Sequence, residues 1–354
     1  MKSFSYDASP ARIVFGQGTI DTIAEEVRRL GRSRVMVLAS RRLNAVAAAV
    51  TASLCDMVVA RFDGAVMHTP IEVTTAALKL AESHHVDVVV AIGGGSATGL
   101  SKALALRAGF DQIIVPTTYA GSEATPVLGE TENGRKTTRS SPHIRPETVI
   151  YDVDLTLDLP LGTTVTSAVN AMAHAVEALY SAESNPITDS MAIEVISGIA
   201  RALPSIVDDP KNLEERAELL QSAWLAGTCL GTVGMGIHHK VCHTLGGSFG
   251  LPHAPTHTVV LPHAMAFNAS AVPEVMSRIA TALGVSDAAT GVFDLVTACG
   301  GPTSLRKLGM RHDQIEKAVE LATAAAYPNP REITAAGLNE LLDNAWSGRR
   351  PAIG

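Results

Sequence analysis

The sequence predicts a two-domain chain: an α/β N-terminal domain on a parallel, Rossmann-like sheet, and an all-α C-terminal domain. Three observations predict it. Over the first ~150 residues, apolar strand-like runs alternate with helical stretches, as βαβ units do. A triple-glycine turn follows the most β-branched of those runs. After Pro160 the texture changes to long Ala- and Leu-rich helical patterns, and strand-like runs nearly vanish. The boundary falls in the stretch Asp152–Pro160, giving domains of 1–155 and 156–354.

In chain order, Arg34-Val35-Met36-Val37-Leu38-Ala39 reads as a strand, and so does Met57-Val58-Val59-Ala60-Arg61-Phe62. Residues 70–84 carry apolar side chains at helical spacing. Val86-Asp87-Val88-Val89-Val90-Ala91-Ile92 has the continuous β-branched character of a central strand buried on both faces. Gln112-Ile113-Ile114-Val115 and Thr148-Val149-Ile150-Tyr151 complete the set. Helical patterns then cover 164–183, 186–205 and 212–230. No internal repeat or low-complexity segment interrupts them.

Composition narrows the class. A chain of 354 residues is long enough for two cores, and 46% hydrophobic with 18% charged residues excludes a disordered chain. A net charge of −7 argues against coating nucleic acid or anionic membrane. Cys55, Cys229, Cys242 and Cys299 are scattered without a CxxC pair, which points to a reducing cytoplasm rather than a disulfide framework. The N-terminal stretch lacks the apolar core of a signal peptide, and the apolar runs look too interrupted to span a bilayer.

The turn Gly93-Gly94-Gly95-Ser96 stands between the Val86–Ile92 run and a helix. Glycines let backbone amides approach a ligand, and a helix N-terminus adds free N–H groups and a positive dipole end. A dinucleotide pyrophosphate is the expected ligand, although the turn is neither GxGxxG nor a P-loop. Gly16-Gln17-Gly18 half resembles the fingerprint but reads as a plain turn. A second polar turn, Pro116–Glu123, brings Thr117, Thr118 and Ser122 to a strand's C-terminal edge, where open α/β sheets bind ligands. The Arg34–Ala39 strand runs into Ser40-Arg41-Arg42, where an acid would select NADH through the ribose 2′-hydroxyl. Ser40 does not repel a 2′-phosphate and the arginines attract one, so NADH and NADPH both suit the chain.

Of twelve histidines, six fall between 238 and 263: His238, His239, His243, His253, His257 and His263. Residues four apart share a helix face, pairing Asn170 with His174 and His239 with His243. His253, after the loop 248–252, folds back toward the same site. Imidazoles so spaced suit a divalent metal or acid–base work near neutral pH.

Together these motifs resemble the iron-containing alcohol dehydrogenase superfamily, whose fold is dehydroquinate synthase-like. The likeness covers most of the chain, from Phe15-Gly16-Gln17-Gly18 through the turns at 93–96 and 116–123 to the block at 239–268. It implies a metal held at the positions of Asn170, His174, His239 and His253, with His243 lining the site beside the nicotinamide. Two departures stand out: the family's aspartates are Asn170 and Gly99 here. A neutral amide weakens a divalent-metal site, so no metal is expected and those four positions are read as a vestigial site.

The same departures are similar to what the maleylacetate reductase group shows, as are 67–70, 131–138, His238-His239-Lys240 and Tyr327-Pro328-Asn329-Pro330-Arg331. The resemblance implies a cytoplasmic homodimer of aromatic-compound catabolism that reduces the C=C of maleylacetate to 3-oxoadipate. Asn170, His174, His239 and His253 would then hydrogen-bond an enolate. His243 is the expected proton donor, with His239 or Tyr119 as alternatives. Lys240 is expected to meet a carboxylate of the dianionic substrate, with Arg135 or Lys136 as alternatives, and Lys136 is also counted with the coenzyme site. Rival expectations are a metal-dependent alcohol dehydrogenase using Asn170 as a neutral ligand and a non-redox lyase on the same scaffold.

Overall fold

A computed structural model describes residues 4, 6, 11–67, 69–132 and 135–352, without the side chains of 135 and 136. The chain divides between Leu159 and Pro160 into two compact units.

The first unit holds strands β1 (Arg12–Gly16), β2 (Val35–Ala39), β3 (Val58–Phe62), β4 (Val88–Gly93), β5 (Asp111–Pro116), β6 (Val127–Glu132), β7 (Arg135–Ser140) and β8 (Thr148–Asp152). Its helices are α1 (Ile23–Arg29), α2 (Asn44–Leu54), α3 (Ile71–Ser83) and α4 (Gly95–Ala108). Six strands form one parallel sheet in the order β1-β8-β5-β4-β2-β3. Every residue of β2, β4 and β8 is buried, which is why β2 and β4 carry no polar side chain and do not alternate, while β8 is apolar or aromatic between its polar ends, Thr148 and Asp152. Val35, Val37, Val88, Val90, Ile92, Ile113 and Val115 share a core with Ala47 and Val50 of α2.

Three strands lay outside the sequence expectation. β1 is an edge strand with an exposed, interrupted pattern, and its register is set by pairing Arg12–Gly16 with Thr148–Asp152. β6 and β7 form a separate antiparallel hairpin of largely polar residues, so no hydrophobic alternation announces it. The Gly16–Gly18 turn is held by Asp152, whose carboxylate accepts from the amides of Gly18 (3.1 Å) and Ile20 (2.8 Å).

The second unit contains α5 (Leu161–Tyr180), α6 (Pro186–Asp208), α7 (Leu213–Thr232), α8 (Ile237–Phe249), α9 (His253–Asn268), α10 (Pro273–Leu283), α11 (Ala288–Ala298), α12 (Ile315–Thr323) and α13 (Ala335–Ser347). α5 is its central element, buried at every position from Thr164 to Tyr180 and packed on α6, α7 and α9. α6 starts at a capping box, with Asn185 accepting from the amides of Ile187 and Thr188, and Pro186 in the first turn. By length and composition α6 and the stretch Pro273–Ala298 are apolar enough to cross a bilayer, each with a mean hydropathy of 1.4. Here α6 buries Ala192, Val195, Ile196, Ile199 and Leu203 inside the unit, and the other stretch breaks at Gly284 (φ 70°).

Candidate active site

The first unit supplies a backbone cradle. α4 begins at Gly95 with Gly94 as its N-cap and no side chain satisfying its first amides, so those donors face whatever binds there. A methyl group at Gly94 would stand 2.8 Å from Thr118 Oγ1, so only glycine lets the two turns meet. Ser122 Oγ lies against Gly95 and is buried without a partner, a hydroxyl available to a ligand phosphate. Thr117 continues β5, its amide donating to the Gly93 carbonyl at 3.1 Å. Gly93, Gly94, Gly95, Ser96, Thr117, Thr118 and Ser122 are thus gathered at the sheet's C-terminal edge, and Ser40 follows β2 at that edge. This cradle fits a dinucleotide pyrophosphate.

Behind the cradle lies Lys102, 1% exposed, which the sequence reading did not single out. Its Nζ donates to Ser122 O (2.5 Å), Thr125 O (2.7 Å), Thr125 Oγ1 (2.9 Å) and Val127 O (3.0 Å). One helix-borne ammonium therefore fixes the second turn against the first. Burial pulls Lys102 down to about 7, against the opposing pull of the nearby Glu123 carboxylate. Glu123, itself raised by burial, accepts from Tyr151 OH at 3.0 Å. Gly99, where the family usually carries aspartate, sits under Thr69; a Cβ there would meet Thr69 Oγ1 at 2.5 Å.

The second unit supplies a cluster of imidazoles. α5 carries Asn170, His174 and Glu177 along one face, α8 carries His238, His239 and His243, and α9 carries His253 and His257. Ring centroids lie 5.0 Å apart for His174–His239, 5.0 Å for His239–His257, 4.3 Å for His253–His257 and 6.4 Å for the stacked His243–His253 pair. The cluster is layered. His243 and His253 are exposed, whereas Asn170, His174, His238, His239 and His257 are buried.

Glu177 organises the deep layer. Its carboxylate, fully buried, accepts from the backbone amides of Gly236 (3.0 Å), His238 (2.9 Å) and His239 (3.3 Å), and from His239 Nδ1 (2.7 Å). It therefore caps α8 from a different helix, placing a negative charge at that helix's positive end. Burial alone would raise its pKa, but the His239 hydrogen bond and charge and these amides hold it down at about 2. Because Nδ1 of His239 donates to Glu177, its Nε2 is left as a lone pair, buried and unpartnered. Asn170 Oδ1, His174 Nδ1 and both His257 ring nitrogens are likewise buried without partners. Burial, reinforced by neighbouring imidazoles, drives His174 and His257 well below the usual histidine value, and His238 to about 4. His174, His238 and His257 are thus neutral rings at neutral pH.

Metal binding can be tested against these atoms. At the four family positions the donors are imidazole nitrogens and one neutral amide oxygen, while both Glu177 oxygens are taken by N–H groups. That set lacks the anionic oxygens that hard ions such as Mg²⁺ require; its imidazoles are ordinary ligands for zinc or iron, and the neutral Asn170 amide in place of a carboxylate weakens such a site. His238, His239 and His257 also lie close enough to share an ion. Of their nitrogens, His238 Nε2 sits 3.1 Å from the His257 carbonyl and His239 Nδ1 serves Glu177, whereas His239 Nε2 and both His257 nitrogens have no partner.

Lys240 is half-buried on α8, its Nζ 5.6 Å above the Tyr327 ring. Asn329, two residues on, exchanges amide hydrogen bonds with Asn268 (2.8 and 3.1 Å) and accepts from Ile237 N. The 327–331 segment therefore braces the start of α8 against the end of α9. Tyr119 belongs to the first unit and is fully buried there. The side chains of Arg135 and Lys136, and all of His68, lie outside the described residues. Sequence reasoning missed Glu177, and it named His238 and His257 in the histidine cluster without giving them a role. The signals for Glu177 and His257 were present: Glu177 continues the Asn170–His174 spacing, and His257 is four residues beyond His253.

A parallel-sheet unit with a glycine-opened phosphate cradle, joined in one chain to a helical unit carrying a buried imidazole cluster, defines a two-unit oxidoreductase fold. The chain belongs to the iron-containing alcohol dehydrogenase family, matching it over residues 10–153 and its C-terminal part over 164–346. It is similar to maleylacetate reductase 1 of Rhodococcus opacus, with 57% identity over 348 residues, 98% of each chain. The crystal structure of maleylacetate reductase from Agrobacterium tumefaciens superposes with a TM-score of 0.96 at 48% identity, covering 99% of this chain and 100% of that one. Sulfoacetaldehyde reductase from Bifidobacterium kashiwanohense, solved in complex with NAD+, superposes with a TM-score of 0.89 at 25% identity, covering 98% of this chain and 100% of that one.

Proposed function

We propose that this protein reduces the carbon–carbon double bond of maleylacetate with NADH or NADPH, giving 3-oxoadipate, in the cytoplasm and without a metal. The observation that carries this reading is the neutral pocket at the family's metal positions: Asn170, His174 and His239 present unpartnered buried atoms and no carboxylate oxygen. The 57% identity to a maleylacetate reductase along the whole chain supports it.

The dihydronicotinamide, when bound, supplies the hydride. The protein's part begins with the cradle at 93–96 and 117–122, which holds the pyrophosphate through backbone amides and hydroxyls. Hydride reaches the alkene carbon beside the carboxylate, the position β to the ketone, and the electron pair moves onto the ketone oxygen as an enolate. A neutral imidazole N–H stabilises that oxygen in a site where water is scarce. That donor is His174 or His253, joined by the Asn170 amide N–H₂; His239, whose Nδ1–H is held by Glu177, is fixed in the tautomer that turns an Nε2 lone pair outward, and it accepts rather than donates. The enolate then takes a proton at the carbon next to the ketone. His243, exposed at the cluster's mouth, is the donor, since it exchanges protons with solvent between turnovers. Lys240 meets one carboxylate of the dianion. A homodimer is the expected assembly.

Reduction with [4-²H]NADH tests the reaction. The product is expected to carry deuterium at the methylene beside the carboxylate, with a solvent proton at the neighbouring carbon. Deuterium on a secondary alcohol, or no NADH consumption, would overturn the reading. One observation favours a metal-dependent alcohol dehydrogenase as a second reading: the Glu177–His239 contact is of the kind that orients metal-bound imidazoles.

A further inference from the structure

In doubly wound sheets, an acid at the end of the second strand receives the ribose 2′-hydroxyl of NADH. β2 ends here at Ala39 and is followed by Ser40, with no acid. The neighbouring strand supplies one. Ser40 forms a bridge with Gly64, which draws the segment after β3 alongside the end of β2. Asp63 lies in that segment, its Oδ2 3.5 Å from Arg41 Nε. A cavity of about 480 Å³ opens beside the pair, lined by Val37, Ala39, Asn44, Arg61, Phe62 and Asp63. Because the strands are parallel, this patch sits on the same sheet edge as the glycine cradle.

We infer that Asp63 and Arg41 form a two-way coenzyme selector, Asp63 receiving the 2′-hydroxyl of NADH and Arg41 the 2′-phosphate of NADPH. The inference rests on the coenzyme reading above. The two side chains are held together by a weak, solvent-exposed contact (83% and 59% exposed), so either one is released at little cost. Bound NADH leaves the pair in place, with the hydroxyl donating to a carboxylate oxygen. A 2′-phosphate is repelled by Asp63 and instead draws Arg41 away, with Arg61 on the cavity wall as a second cation. Removing either partner therefore shifts preference in opposite directions. Arg41→Ala also unmasks Asp63, adding to the penalty on the phosphate.

The test is kcat/KM for NADH and NADPH with maleylacetate, alongside fluorescence titration of both coenzymes without substrate. Both residues are exposed, so both variants are expected to fold. Asp63→Ala should lower the NADH-to-NADPH ratio on the order of tenfold, and Arg41→Ala should raise it on the order of tenfold. Ratios within twofold of wild type in both variants, by turnover and by titration, would overturn the selector. If the wild-type enzyme turns over neither coenzyme with maleylacetate, the functional reading fails instead, and the titration ratios alone decide the selector.

Discussion

The candidate sites of the two units are built by opposite means. The coenzyme cradle is made of backbone, glycine and small hydroxyls, with its one buried ammonium, Lys102, set behind as a brace. The imidazole cluster of the second unit is made of large, mostly buried side chains, and its brace is the Glu177 carboxylate. The phosphate of a coenzyme is a fixed anion, and amides at a helix end suffice for it. An enolate exists only during turnover and calls for neutral donors pre-positioned in a dry pocket, which is costly to hold without a paired charge beneath. Damage to the two braces should therefore look different.

The largest effect is expected at the pocket's mouth. His243→Ala should lower kcat by about 100-fold or more, the usual scale for losing a general acid, with little change in the KM for NADH. Full turnover by that variant would remove His243 as the donor.

Next comes Glu177→Gln, which sets an amide N–H₂ group against the N–H donors of Gly236, His238 and His239. Leaving such groups unmatched costs about 1–3 kcal/mol each, so Tm should fall by several degrees and kcat should drop through a mis-set His239. Its pH behaviour sharpens the point. Glu177 titrates at about 2 in the fold against an ordinary value of 4.5, so its stabilisation is complete above the higher value and is lost as pH falls toward the lower. His238, held at about 4 against 6.5, adds a loss of roughly 1.4 kcal/mol per pH unit as pH falls between those values. Thermal melts from pH 7 to pH 3 should show both losses in the native enzyme. The glutamine variant should retain only the histidine part. Parallel melting curves for the two proteins below pH 4 would contradict the role given to Glu177.

The smallest effect is expected at the other brace. Lys102→Met should raise the KM for both coenzymes by about tenfold through a loosened Ser122–Thr125 turn while leaving kcat within a few-fold. A kcat loss with unchanged coenzyme KM would show that Lys102 serves something other than the cradle.

The same contrast explains what the sequence made legible. The cradle is contiguous: β4, the glycines and the start of α4 follow one another, and β-branched burial marks the strand. The helical spacing of Asn170 and His174, and of His239 and His243, exposed half of the pocket in the same way. What stayed hidden depends on register between distant elements. Glu177 caps α8 across some sixty residues, so no local cap marks that helix start. His257 reads as one more histidine until α9 packs against α8. β1 and the β6–β7 hairpin are short or polar, and only pairing with β8 and with each other makes them strands. Asp63 acquires its place only because β3 lies beside β2.

The central claim is that a neutral pocket performs this reduction where relatives of the family are described as iron-containing. The direct measurement is maleylacetate-dependent oxidation of NADH by enzyme stripped with a strong chelator, with metal content determined on the same sample. Undiminished turnover to 3-oxoadipate at substoichiometric metal is the predicted result. Loss of turnover on stripping, restored by one equivalent of zinc or iron, would contradict it.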